Sequence, residues 1–228
     1  MSRGRINHAW SHRRDILRVG SSAAGLYVIS EFLTTRECDT VMANLNSLAW
    51  GPSRVTTDDG DTESAGAVDA SVRSCETTPN GVDDATRTLV IGKLTERGVV
   101  RAVYAKASEI EFAANRYSAP GPDTAGGIFA LHHDAYPRLT PGQRALSVLV
   151  YLTSHSSGGG TEFPQLDHTI PPVAGQAAVW FNSCAKCDGS GEWDHDPSMV
   201  HRAIAVAPGG SRKWVINVWV AKSLLDAI

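Results

Sequence analysis

The hydrophobic rhythm of the chain changes near its middle. Up to about residue 100, apolar positions recur mainly at helical spacing; beyond it they alternate or run in short blocks. Leu26 to Ser30 is a short apolar strand. Thr34 and Glu37 have the spacing of a capping box, in which a hydroxyl and a carboxylate each satisfy a free backbone N–H. Cys38, Val41, Met42, Leu45 and Leu48 follow with helical period, and Trp50-Gly51-Pro52 ends that helix. A second helix is predicted from Asp83 to Arg97, with Leu89, Val90, Ile91 and Leu94 as its apolar stripe and Gly98 as its stop. Runs centred on 111–117, 128–134, 146–152, 176–181, 203–206 and 213–220 then predict strands, separated by Gly, Pro and Ser. Helices first and strands later predict an α+β chain, mainly β, built on a sandwich or jelly roll with N-terminal supporting helices.

The flanks refine this picture. Residues 1–25 are expected to be a basic, disordered tail, and 26–228 a single domain. Arg13-Arg14 before an apolar stretch imitates an export signal, but that stretch runs into Glu31, Arg36 and Glu37 without a small-residue cleavage site. Residues 53–70 carry Asp58, Asp59, Asp61, Glu63 and Asp69 with few large apolar groups, which predicts a flexible loop, either a lid or a solvated insertion.

Charge and cysteine content remove several function classes. A net charge of -3 over 228 residues supplies no electrostatic reason to bind nucleic acid. No stretch approaches the ~20 apolar residues of a membrane span. The four cysteines make no dense disulfide framework, so a reducing cytoplasm is the expected compartment. Cys184 and Cys187 form a C-x-x-C pair with no second pair to complete a zinc site, and are read as free loop thiols.

The candidate chemistry begins at His132-x-Asp134. Side chains two apart on a strand share a face, so this imidazole and carboxylate point the same way, with His133 on the other. A further imidazole, such as His201, would complete a 2-His-1-carboxylate facial triad, which leaves coordination positions open and suits a non-haem Fe(II) oxygenase. On the strand from Arg144 to Thr153, Ser147, Leu149 and Tyr151 share one face. On the last strand Lys213, Val215, Asn217 and Trp219 share one face, and Trp214, Ile216 and Val218 the other. Alternation alone leaves open which of these faces looks inward.

Taken together and in order, these pieces resemble the prolyl 4-hydroxylase branch of the Fe(II)/2-oxoglutarate dioxygenases. The resemblance covers about residues 26 to 222. It rests on Asn115-x-Tyr117, His132-x-Asp134, Arg144-x-x-Ser-x-Leu-x-Tyr-Leu and the Gly158-Gly-x-Thr-x-Phe-Pro turn. Gly175 before an apolar strand, Ser198-x-x-His201 and Lys213-Trp214 complete it. It implies a double-stranded β-helix with His132, Asp134 and His201 as iron ligands. Lys213 would meet the C5 carboxylate of 2-oxoglutarate, with Tyr117 and Ser147 beside it. Arg73, Tyr151, Asn217 and Trp219 are candidates for the substrate side or the surroundings of the metal. O2 would be co-substrate, ascorbate an auxiliary, and succinate and CO2 the co-products.

Some features depart from the family pattern. Gly160 replaces the usual glutamate of the turn, and the His201-to-Lys213 interval is longer, which makes Arg212 a competitor for the carboxylate role. Asp134 is a carboxylate rather than Ala or Gly, so no ligand position is vacated for halide, and hydroxylation is expected over halogenation; desaturation and cyclisation stay open. The expected substrate is a small molecule or amino-acid-type compound, with a protein prolyl residue as the alternative. A non-catalytic cupin-like metal- or ligand-binding protein is the alternative of another class, and would have no use for Lys213 or Tyr117.

Overall fold

The computed structural model describes residues 13–19, 25–55, 68–78, 80–100, 109–135, 144–185, 193–221 and 224. Two antiparallel sheets face each other, and two helices cover the back of the larger one. The strands of the large sheet are β1 (Ile16–Val19), β2 (Leu26–Ile29), β3 (Gly51–Pro52), β4 (Cys75–Thr77), β5 (Ile110–Tyr117), β7 (Leu146–Tyr151), β10 (Ala177–Phe181) and β14 (Trp214–Val220). Their spatial order is β1-β2-β10-β7-β14-β5-β4-β3. The small sheet holds β6 (Phe129–His132), β13 (His201–Ala203), β8 (Thr161–Phe163) and β9 (His168–Ile170), in that order. A hairpin of β11 (Ser183–Ala185) and β12 (Trp193–His195) stands apart. This is the expected mainly-β jelly roll with supporting helices.

The helices form where the pattern places them. Helix α1 (Thr35–Asn46) starts at Thr34, whose hydroxyl accepts from Glu37 N at 3.2 Å while the Glu37 carboxylate accepts from Thr34 N at 2.7 Å. Helix α2 (Asp84–Glu96) is capped by Asp83, which accepts from Thr86 N at 2.9 Å. Cys38, Val41 and Leu45 from α1 and Val90 and Leu94 from α2 are buried against Val148, Val150, Ile216 and Val218 of the large sheet. The other face of the same strands carries Leu149, Tyr151 and Val215, packed between the sheets with Phe163, Trp180 and Ala203. β7 is therefore buried on both faces, which explains its continuous apolar run.

Two expectations need correction. The chain before residue 26 is not all tail: Ile16–Val19 pair with Leu26–Ile29, Ile16 and Val19 are buried, and Arg13 donates to Asp15 and to the Glu96 carbonyl. An exposed Leu17 and Arg18 between buried neighbours gave this edge strand little apolar signal. Residues 1–12 and 20–24 lie outside the described residues, as do 56–67 of the expected loop and Cys187. The strand predicted over 128–134 ends at His132, and the one predicted over 203–206 runs from His201 to Ala203.

Gly175 shows why one turn residue is not exchangeable. It has φ +82°, its carbonyl accepts from Leu33 N at 2.9 Å, and a Cβ there would lie 2.1 Å from the Leu33 carbonyl oxygen. This contact locks the approach to α1 onto the entrance of β10.

Candidate metal centre and anion pocket

The small sheet brings the three candidate ligands together. His132 ends β6 and stands directly opposite His201, which begins β13. Asp134 lies on the bend after β6, not on the strand itself. Its Oδ1 is 3.7 Å from His132 Nε2 and 3.9 Å from His201 Nε2, and one ligand atom from each residue falls within 4.8 Å of the others. Each Nδ1 sits 2.8 Å from a backbone carbonyl two residues back, Ala130 for His132 and Met199 for His201. With Nδ1–H donating there, each Nε2 presents a lone pair to the shared space.

Asp134 is prepared in the same way. Its Oδ2 accepts from Ser147 Oγ at 2.5 Å, and Ser147 in turn accepts from Asn182 Nδ2 at 2.7 Å. Burial raises the Asp134 carboxyl, but His201 and His132 beside it and the Ser147 hydroxyl outweigh burial and hold it below the usual carboxylate range. Burial, with His201 adding to it, pushes the His132 imidazolium down, which keeps that ring neutral. Two imidazoles and one carboxylate form the donor set of a facial triad.

Lys213 lies on the inner face, beyond the triad. It is 1% exposed, its Nζ donates to the Gly159 carbonyl at 2.9 Å, and it stands 4.2 Å from the centroid of the Tyr117 ring. Among the described residues no carboxylate pairs with it. Burial therefore pushes its ammonium down to about 7, with Cys75 opposing in part. Burial also raises the Tyr117 phenol, which stays a neutral donor. Gly159, at φ +71°, turns its carbonyl toward the lysine as part of the glycine turn. Arg212 points away and pairs with Glu76 at 3.6 Å, half exposed, so the phase of the last strand places Lys213 inside.

One cavity joins the two centres. Tyr117, Phe129, His132, Thr161, Trp180, His201, Lys213 and Asn217 line it. Two of its buried polar atoms, Trp180 Nε1 and Asn217 Oδ1, have no hydrogen-bond partner. An unpaired buried ammonium and orphaned polar atoms beside a triad fit a small polar anion held next to a metal. The residues present thus fit both Fe(II) and 2-oxoglutarate.

The remaining expected residues are placed differently. Ser147 supports Asp134 rather than facing the anion pocket. Tyr151 is fully buried, and its hydroxyl donates to Thr161 Oγ1 at 2.6 Å. Trp219 lies near Asp134, and Arg144 covers its ring at 3.9 Å. Arg73 is held by Asn115 and Cys75 rather than pointing to open space. Sequence reasoning missed Thr161, Asn182 and Phe129. Thr161 was visible as the threonine of the glycine turn; Asn182 and Phe129 carried no signal beyond their place beside a strand or within one. Gly160 is also explained: a Cβ there would meet the Ile170 carbonyl oxygen and Thr169 at 2.9 Å.

A jelly roll with a candidate facial triad at one end and a buried lysine beyond it is an arrangement that suits a metal-dependent oxygenase. Residues 112–221 match the model of the 2OG-Fe(II) oxygenase superfamily. The matched stretch contains His132, Asp134, His201 and Lys213. The chain is 38% identical over 87 residues to prolyl 4-hydroxylase subunit alpha-1 of Homo sapiens, a match covering 38% of this chain and 15% of that protein. It thus spans a small part of the length of that relative. Among solved structures it is similar to the viral collagen prolyl hydroxylase of Paramecium Bursaria Chlorella virus-1 in its 2OG complex. The TM-score is 0.57 at 20% identity, covering 87% of this chain and 96% of that one. It is also similar to a prolyl hydroxylase of Trichoplax adhaerens in complex with a hypoxia inducible factor oxygen degradation domain peptide fragment. There the TM-score is 0.58 at 14% identity, covering 99% and 93% of the two chains. At these identities the structural likenesses speak for the fold.

Proposed function

We propose that this protein is an Fe(II)- and 2-oxoglutarate-dependent hydroxylase that acts on a prolyl residue of a peptide or protein. The observation that carries the reaction class is the shared cavity of the His132–Asp134–His201 triad and the unpaired, buried Lys213. A cupin-like binding module would have no reason to bury a lysine without a counter-ion beside its metal.

His132, Asp134 and His201 would hold the metal, with Ser147 keeping the Asp134 carboxylate aimed. Lys213 would take the distal carboxylate of 2-oxoglutarate, with the Tyr117 phenol as a second donor. Bound together, Fe(II) and 2-oxoglutarate supply O2 activation coupled to decarboxylation, yielding succinate, CO2 and a hydroxylated substrate. Trp180, Phe163 and Phe129 keep the histidines' surroundings apolar, which excludes water. The prolyl assignment draws on the named activities of the relatives, which favours a peptide over the small-molecule substrate first expected.

The test has two stages. Protein with Fe(II) and 2-oxoglutarate under anaerobic conditions is expected to show a weak visible metal-to-ligand band that His201→Ala abolishes; absence of the band in the wild type defeats the oxygenase reading. Succinate release is then compared for proline-rich peptides and free amino acids. Stimulation by free amino acids alone would overturn the prolyl assignment and leave the reaction class intact.

A further inference from the structure

The two histidines of the triad are held very unequally. His201 belongs to β13, an inner strand of the small sheet, and is wedged between Phe163 at 5.4 Å and Trp180 at 4.8 Å. His132 ends β6, an edge strand of that sheet, and its side chain is 15% exposed against 6% for His201. A residue at a strand end on a sheet edge has few packed neighbours to fix its ring.

Phe129 supplies what the edge lacks. Its ring is stacked on the His132 imidazole, centroids 3.6 Å apart and planes 15° from parallel. Residues three apart on a regular strand face opposite sides, so this stack requires an irregularity. The register shows one: His201 opposes His132 and Ala203 opposes Phe129, so β6 uses three steps where β13 uses two. The bulge turns Phe129 and His132 to a common side.

The far side of the phenyl ring is capped in turn. With one face covered by the imidazole, the Arg73 guanidinium lies 4.3 Å from the same ring centroid. Arg73 is itself fixed, donating from Nη2 to Asn115 Oδ1 at 2.8 Å and from Nε to Cys75 Sγ at 3.2 Å. Its neighbours grip the backbone of β6: Ala130 N donates to the Val72 carbonyl at 2.7 Å and Ser74 N to the Ile128 carbonyl at 2.9 Å.

We propose that Phe129 and Arg73 are positioning residues of the metal centre, a guanidinium–phenyl–imidazole stack that sets the ring plane of His132 before metal arrives. The hydrogen bond from His132 Nδ1 to Ala130 O fixes one ring atom and leaves the ring free to rock about it. Stacking removes that remaining freedom, so Nε2 meets the metal without reorganisation. Arg73 thereby acts on the metal side of the site, rather than as the substrate anchor that its position in the sequence suggested. The inference rests on the reading of His132 as a metal ligand.

Co(II) binding to the 228-residue chain, followed by calorimetry and by the visible Co(II) spectrum, tests this without turnover. Phe129→Tyr keeps the flat ring and is expected to bind Co(II) as the wild type does. Phe129→Leu keeps apolar bulk and loses the ring face; it is expected to bind about tenfold more weakly, with an altered Co(II) spectrum. A purely space-filling role predicts the reverse ranking, so wild-type affinity and spectrum in Phe129→Leu would overturn the proposal. Should Phe129→Leu fail to fold, Arg73→Met decides: a loss of about two- to threefold supports the stack, and no loss overturns it. A wild type that binds no Co(II) would instead bring down the assignment of the triad, and the proposal with it.

Discussion

Ser147 Oγ lies 2.5 Å from Asp134 Oδ2, and that short bond connects the core of the large sheet to the mouth of the jelly roll. Ser147 is 1% exposed and belongs to a strand buried along its whole length, while Asp134 sits on the bend after β6. The rigid element thereby aims the carboxylate of the less regular one.

Ser147→Ala is expected to weaken metal binding about tenfold while leaving the fold intact, since the cost falls on the orientation of a ligand. Asn182→Ala should act more on stability, at about 1–3 kcal/mol, because Asn182 is fully buried and also donates to the Arg144 carbonyl at 2.9 Å. Calorimetric Mn(II) titration and thermal unfolding of both variants separate the two effects. Equal metal affinity in Ser147→Ala and the wild type would refute the aiming role.

Lys213 and Arg212 give a clean contrast. Lys213→Ala should raise the dissociation constant for 2-oxoglutarate by about a hundredfold, the cost of losing a buried charged partner, with metal affinity nearly unchanged. Arg212→Ala, which loses a half-exposed contact to Glu76, should leave 2-oxoglutarate binding alone. If the two variants exchange these phenotypes, the inward face of β14 is misassigned.

The same lysine sets a pH dependence. Its folded value near 7 lies below the 10.5 of an unburied lysine. Between these values the unfolded chain binds more protons than the folded one, so stability rises with pH across that window and falls as pH drops back toward 7. A carboxylate placed on Lys213 favours the charged form and reverses the sign for binding. The 2-oxoglutarate affinity should therefore weaken as pH rises above about 7, by at most about tenfold per pH unit. Each binding event at pH 8 should take up protons. Calorimetry in two buffers of different ionisation enthalpy measures this; binding at pH 8 with no proton uptake would show that the lysine is already charged.

Gly175→Ala tests the fold rather than the chemistry. A methyl group 2.1 Å from the Leu33 carbonyl oxygen, on a residue at φ +82°, must displace the contact between the α1 approach and β10. A loss of about 2–4 kcal/mol is expected on unfolding. Wild-type stability in this variant would mean that the turn relaxes freely.

Much of this protein was legible from its sequence because local rules and order along the chain agree. The capping box at Thr34, the apolar stripes of both helices and the block-like strands follow from short-range physics. The His-x-Asp pair, the later histidine and the lysine pointed to the chemistry because each residue type is costly to bury without a partner. The sequence could not choose the inward face of β7 or β14, since both faces carry large apolar groups. Two opposed layers decide it, helices taking Val148 and Ile216 and the small sheet taking Leu149 and Val215. Nor could period-two alternation anticipate the bulge in β6 that stacks Phe129 on His132, because a bulge is a relation between two strands rather than a property of one. Residue identity singled out the candidate groups for a metal and an anion; how firmly each is held depends on neighbours that only the folded sheets bring into contact.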